Sequence, residues 1–190
     1  GSLASEGHQF VKPTALHVHL PDGQAKRPVF FRALIHFKRY VTMTTTYITS
    51  GNILSDESKA IVIPVNTMGI AGAGLARQWA LQYPDEHRLY GIVCKDKRFS
   101  IGEVLPVISA PNRLFLCFPT KIVPQKRSEL VWIEDGLSDL RKLIPTLWIK
   151  SLALPALGCG LGGLPWKDVR PLIEKYLGGL KIPVRVYLPR

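Results

Sequence analysis

From Thr45 onward the chain switches repeatedly between short apolar runs and longer amphipathic stretches. Six runs read as strands, at 45–49, 60–65, 102–108, 113–119, 151–157 and 184–188. Between them the apolar period lengthens to that of a helix. Residues 75–82 and 85–93 form an interrupted pair broken at Pro84, with Asp85 and Glu86 suited to a first turn. Residues 128–143 show Leu130, Ile133, Leu137, Leu140 and Ile144 as one stripe, with Ser128 placed to act as N-cap. Residues 166–177 stop at Gly178-Gly179. AIVIPV (60–65) and SLALPAL (151–157) are apolar on both faces, as strands covered by helices on both sides must be. The expected fold class is α/β, with three α/β/α layers.

The first 42 residues follow another pattern. ALHVHL (15–20) and VFFRALIHF (29–37) are strand-like and flank the turn signal Pro21-Asp22-Gly23. His8, His17, His19 and His36 fall here. His17 and His19 share one face of a strand, but without carboxylates or cysteines clustered beside them no metal site is expected. Gly1-Ser2 reads as a tag scar, and Met43 before Thr44-Thr45-Thr46 reads as a start, so 1–42 is taken as an N-terminal extension and 43–190 as the domain.

Charge narrows the partners. The 25 Lys and Arg exceed 14 Asp and Glu, for a net charge of +11. The extension supplies Lys12, Lys26, Arg27, Arg32, Lys38 and Arg39 against Glu6 and Asp22, and the rest is basic as well. A polyanion is the expected partner, nucleic acid first. No apolar run approaches the roughly 20 residues of a membrane-spanning helix, so a soluble protein without membrane association is expected. Cys94, Cys117 and Cys159 contain no CxxC pair, which points to free thiols in a reducing, cytoplasmic compartment.

Two glycine-rich loops each join an apolar strand to a helix: TMGIAGAG (67–74) and GCGLGGLP (158–165). Gly69, Gly72 and Gly74 give GxxGxG, which is not the dinucleotide fingerprint, and no GK[ST] marks a P-loop. A strand feeding a glycine loop that opens a helix still aims backbone N–H groups and a helix N-terminus at one spot. Ligands of open α/β sheets bind beyond the carboxyl ends of the strands. Two such loops predict a diphosphate held between them.

These residues also carry a resemblance. Val65-Asn66 followed by GAGLA (72–76), ALPALGCGLGGLPW (153–166), and SGNIL (50–54) with Asn52 where most members have Asp, resemble the macrodomain family over about 45–188. The resemblance implies an ADP-ribose-binding α/β/α module with a mixed central sheet. Within the family, GAGLA, FPTK (118–121), KRSELVWIEDGL (126–137) and GCGLGGLPW (158–166) are similar to the branch of DarG-like DNA ADP-ribosylglycohydrolases, antitoxins that reverse DNA ADP-ribosylation, which also contains the terminal ADP-ribose protein glycohydrolase. That branch implies Lys121 as the catalytic residue. The terminal glycohydrolase uses an aspartate just after GCGL; here Gly162 stands there, as in DarG-like members.

The resemblance further implies ADP-ribose contacts from Asn52, Ile53, Asn66, Thr67, Gly72, Ala73, Gly74, Leu75, Pro119, Thr120, Gly158, Cys159, Gly160, Leu161 and Gly162. It implies no cofactor, with ADP-ribose as ligand or product. The partners it implies are ADP-ribosylated DNA or other nucleic acid and a cognate ADP-ribosyltransferase toxin.

Chemistry gives each position alternatives. Lys121 ends an apolar strand, where desolvation disfavours its ammonium. The neutral amine can attack an anomeric carbon or form a Schiff base; the protonated form can stabilise charge instead. Asn66 either meets the distal ribose or closes an Asx turn, and the resemblance places Asn52 near adenine. Cys159 lacks a histidine partner and reads as a small loop residue rather than a nucleophile. Glu134, Asp135 and Asp139 read as a solvated helix face, and Trp166 as core packing. Three functions compete: a nucleic-acid ADP-ribosylglycohydrolase, a hydrolase of ADP-ribose esters on Glu or Asp of proteins, and a reader without turnover.

Overall fold

A computed structural model describes residues 45–109 and 113–189. The strand-like runs at 15–20 and 29–37 and the four histidines beside them lie outside these residues. The described elements are β1 (Thr45–Ile48), β2 (Ala60–Asn66), α1 (Gly74–Gln82), α2 (Pro84–Lys95), β3 (Leu105–Ser109), β4 (Arg113–Lys121), α3 (Leu130–Thr146), β5 (Leu152–Pro155), α4 (Trp166–Leu177) and β6 (Val184–Tyr187), with a 3-10 turn at Ile53–Ser55. They form a mixed sheet in the order β1-β6-β5-β2-β4-β3, parallel throughout except for edge strand β3.

Strand pleating explains the layers. On β2 and β4, Ala60, Val62, Leu116 and Phe118 face α3 and α4 and meet Ile133, Leu137, Val169 and Ile173. Their neighbours Ile61, Ile63, Phe115 and Cys117 face α1 and α2 and meet Trp79, Tyr90 and Cys94. Successive side chains of a strand point to opposite faces, so a continuously apolar strand fills two cores at once. Trp166 packs against the α3/α4 core and lies edge-on to Tyr47 at 6.3 Å, as core packing requires.

Several boundaries differ from the pattern. Helix α3 begins at Leu130 with Glu129 as N-cap, because Ser128 is drawn away: its N–H donates to the carbonyl of Gly162 at 3.0 Å. Leu130 is exposed, and the buried stripe runs through Ile133, Gly136, Leu137, Leu140 and Ile144. Strand β3 starts only at Leu105, since Gly102 turns the chain at φ +85°. Strand β5 stops at Pro155, and 156–157 already enter the glycine loop.

The acidic side chains of α3 are not all solvated. Glu134 accepts from Lys175 at 2.7 Å and Tyr176 at 3.0 Å, joining α3 to α4, and Asp139 accepts from the Val104 N–H at 2.8 Å. Among the described residues no helix is long and apolar enough to cross a membrane. Cys94, Cys117 and Cys159 are all free thiols.

Candidate active site

Strands β2, β4, β5 and β6 are parallel, so their carboxyl ends converge on one edge of the sheet. A cleft of about 730 Å³ opens there between the two glycine loops. It is lined by Asn52, Ile53, Asn66, Gly72, Ala73, Gly74, Leu75, Thr120, Lys121, Gly158, Cys159, Gly160, Leu161 and Gly162. Two expected members do not line it. Pro119 is buried within β4. Thr67 is turned to the strand ends, where its N–H and hydroxyl donate to the Ile122 carbonyl at 3.3 and 3.1 Å.

Asn66 builds the first loop. Its Oδ1 accepts from the N–H groups of Met68 (2.9 Å) and Ile70 (3.3 Å), and its Nδ2 donates to the Ile70 carbonyl at 2.6 Å. The Asx turn expected of it is therefore present, and one amide hydrogen is left over. The Tyr90 hydroxyl donates to the Asn66 carbonyl at 2.6 Å, fixing the strand end from the α2 side. Helix α1 then starts at Gly74 without a side-chain cap, so its first N–H groups open onto the cleft.

The second loop is anchored from one side. Three successive carbonyls are held by the end of β4 and the β4–α3 connection: Leu161 by Lys121 Nζ at 2.6 Å, Gly162 by the Ser128 N–H at 3.0 Å and Gly163 by Arg127 at 2.8 Å. In a trans peptide the carbonyl and the following N–H point opposite ways. Anchoring Leu161 through its oxygen thus turns the Gly162 N–H away from β4. The N–H groups of Gly160, Leu161 and Gly162 donate to no described residue, which leaves them for an anion. A Cβ at Gly162 would stand 2.3 Å from both the Gly158 carbonyl oxygen and Ser128 Oγ, so this loop shape admits no aspartate there.

A register shift sets the position of Lys121. The β2–β4 pairing slips between Val65 and Asn66, so Asn66 faces Lys121 rather than Thr120. Lys121 Nζ also donates to the Pro124 carbonyl at 3.2 Å. Burial lowers its pKa from the ordinary lysine value, while the two carbonyls favour the ammonium. Cys159 is half-buried, and burial pushes its thiol up to about 11, so it holds no thiolate for attack.

The Macro domain profile matches residues 62–173. The chain belongs to the macrodomain family. The macrodomain of Mycobacterium tuberculosis DarG superposes with a TM-score of 0.73 at 32% identity, covering 77% of this chain and 99% of that one. Thermosipho africanus DarTG in complex with ADP-ribose gives a TM-score of 0.71 at 36% identity over 77% of this chain and 42% of that one. In sequence, a DNA ADP-ribosyl transferase–DNA ADP-ribosyl glycohydrolase fusion protein of Thermosipho africanus is 36% identical over 75% of this chain and 41% of its own length. A DNA ADP-ribosyl glycohydrolase of Thermus aquaticus is 37% identical over 73% of this chain and 40% of its own length. This macrodomain thus spans about two fifths of the curated relatives it matches.

Other residues complete the cleft without having been anticipated. Tyr187, Leu188 and Pro189 enter from the end of β6, and Ile70, Gln78 and Pro124 from the flanking loops and α1. The rule that ligands sit at strand carboxyl ends would have pointed to Tyr187 once β6 was known to be parallel and central. Tyr187 donates to buried Asp56 at 2.7 Å, and Arg113 donates to the carbonyls of Leu54 at 2.9 Å and Asp56 at 3.1 Å. Asn52 caps the 3-10 turn by accepting from the Leu54 N–H at 3.0 Å. These bonds hold the Asn52 and Ile53 wall of the cleft.

Proposed function

We propose that this macrodomain binds ADP-ribose across the two glycine loops and removes it from nucleic acid, cleaving the N-glycosidic bond between the distal ribose and a nucleobase. The observation that carries this reading is Lys121, the cleft cation at the end of β4, fixed on the second loop through Leu161. Support comes from relatives named DNA ADP-ribosyl glycohydrolases and from a similar structure described as a complex with ADP-ribose. The net charge of +11 suits a polyanionic substrate better than a protein side chain.

In this reading Lys121 gives a proton to water and attacks the anomeric carbon of the distal ribose as a neutral amine. The bond to the base breaks, its electron pair goes to the base nitrogen, and that nitrogen takes a proton from water. The adduct nitrogen passes one proton to the ring oxygen as the bond from the anomeric carbon to that oxygen breaks, giving a protonated Schiff base; water adds to it, releases ADP-ribose and restores the amine. The unpaired N–H groups of 160–162 and the start of α1 hold the diphosphate meanwhile. Residues 43–190 form the catalytic unit, with 1–42 a basic extension that touches the nucleic acid. A cognate ADP-ribosyltransferase supplies the modified strand, as the fusion relative suggests, within a reducing cytoplasm that keeps the three thiols free.

A time course on ADP-ribosylated single-stranded DNA and on protein carrying ADP-ribose esters tests the reading. Release of ADP-ribose from DNA is expected. Release from the protein alone would favour the ester hydrolase, and binding without release would leave a reader.

A further inference from the structure

The C-terminal end of α3 breaks two folding rules at one residue. Trp148 N–H donates to the Pro145 carbonyl at 3.2 Å and Ile149 N–H to the Ile144 carbonyl at 3.0 Å, the paired bonds of a Schellman stop. Such a stop places its next residue in the left-handed region, where glycine is favoured. Here that residue is a tryptophan with φ +53°. Its side chain does not repay the strain by burial, because Trp148 is 77% exposed. Ile144 and Ile149 already make the apolar contact of the motif, both being buried.

Beside the ring lies a hollow of about 520 Å³ with an apolar floor that includes Ile144 and Leu180. The charged side chains lining it are Arg141, Lys150 and Lys181, all cations. Lys150 Nζ stands 5.2 Å from the Trp148 ring centroid, in cation–π range. Arg141 is anchored on the Tyr176 carbonyl of α4. The hollow sits in the connections that lead into the amino ends of β5 and β6, the opposite edge of the sheet from the cleft.

An exposed aromatic ring ringed by cations without a carboxylate matches a ligand that is both flat and anionic. We propose that Trp148, Lys150, Lys181 and Arg141 form a second, sequence-tolerant binding surface for single-stranded nucleic acid, with an unpaired base stacked on Trp148 and neighbouring phosphates on the three cations. The proposal takes nucleic acid as the substrate class from the reading above but makes no use of the cleft. Positive φ at a bulky residue is then the cost of presenting the ring to solvent.

The test uses the full chain and a fluorescein-labelled, unmodified single-stranded DNA 20-mer, followed by anisotropy. Trp148→Gly should weaken binding about tenfold, the loss of one stacked base, while its thermal midpoint stays level or rises, since glycine suits the left-handed position. A merely structural tryptophan would instead lower the midpoint. Lys150→Glu with Lys181→Glu should weaken binding and flatten its salt dependence. Neither variant should change calorimetric affinity for free ADP-ribose. Unchanged DNA affinity in Trp148→Gly, equal affinity for duplex and single strand, or displacement by polyglutamate as effective as by DNA would overturn the proposal. Loss of ADP-ribose binding or turnover by the wild type would instead strike the cleft reading and leave this surface standing.

Discussion

Lys121 Nζ donates to the carbonyl oxygen of Leu161 at 2.6 Å, so the cation at the end of β4 and the glycine loop after β5 form one unit. The bond serves two ends. It fixes the ammonium at the cleft, and by holding a carbonyl it turns the next N–H of the loop away from β4.

Lys121→Ala is expected to abolish turnover on ADP-ribosylated DNA while ADP-ribose affinity falls only severalfold, because the amine acts in the covalent step rather than in ground-state binding. Borohydride should attach ligand to the wild type and not to the variant. Since burial lowers the Lys121 pKa and the neutral amine is the attacking form, the wild-type rate should rise with pH through a value below the ordinary lysine 10.5. A rate that falls through that range would assign the residue a purely electrostatic role.

Glycines 160 and 162 should respond in different ways. A Cβ at Gly160 meets nothing within 4 Å, so Gly160→Glu should fold normally and block ADP-ribose by occupying and charging the diphosphate site. Unchanged calorimetric affinity in that variant would misplace the diphosphate. Gly162→Asp, which restores the aspartate of the terminal glycohydrolase, has no room beside Gly158 and Ser128. It should distort the loop, lowering both melting temperature and ADP-ribose affinity without adding ester cleavage.

Asp56 should couple pH to the cleft wall. Burial raises its pKa, but hydrogen bonds from Ser58 and Tyr187 and the charge of Arg185 outweigh this and hold it below its ordinary 3.8. A depressed carboxyl contributes stability above its unfolded pKa and loses it as pH falls through the folded value. Asp56→Asn should cost about 1–3 kcal/mol at neutral pH, and the gap in melting temperature from wild type should close on acidification below pH 4. A gap independent of pH would remove the charge from the explanation.

The extension should matter for the strand and not for the ligand. A chain starting at Met43 is expected to keep its affinity for free ADP-ribose and to lose activity on ADP-ribosylated DNA, because 1–42 carry six of the cations but none of the loop residues. Full-length activity should weaken steeply with salt as phosphate contacts release counterions. Salt-insensitive cleavage, or failure of the shorter chain to fold, would detach the basic charge from substrate choice.

Local pattern by itself determined much of this protein. Strands apolar on both faces required helices on both sides, so the three layers followed from AIVIPV and SLALPAL. The glycine loops marked the edge of the sheet where the cleft opens, because glycine density between strand and helix is a short-range signal carried by adjacent residues. Lys121 closes FPTK, a similarly local string, and lines the cleft. What joins distant segments was decided only in three dimensions. Ser128 read as a helix cap, since its sequence neighbours were those of a helix start, yet its N–H goes to Gly162. Tyr187 gave no local sign of lining the cleft; its place came from β6 pairing between β1 and β5. The slip of register between Val65 and Asn66 chose Lys121 over Thr120 as the partner of Asn66. Strand order, register and loop anchoring depend on contacts between residues far apart in the chain, and no local period encodes these.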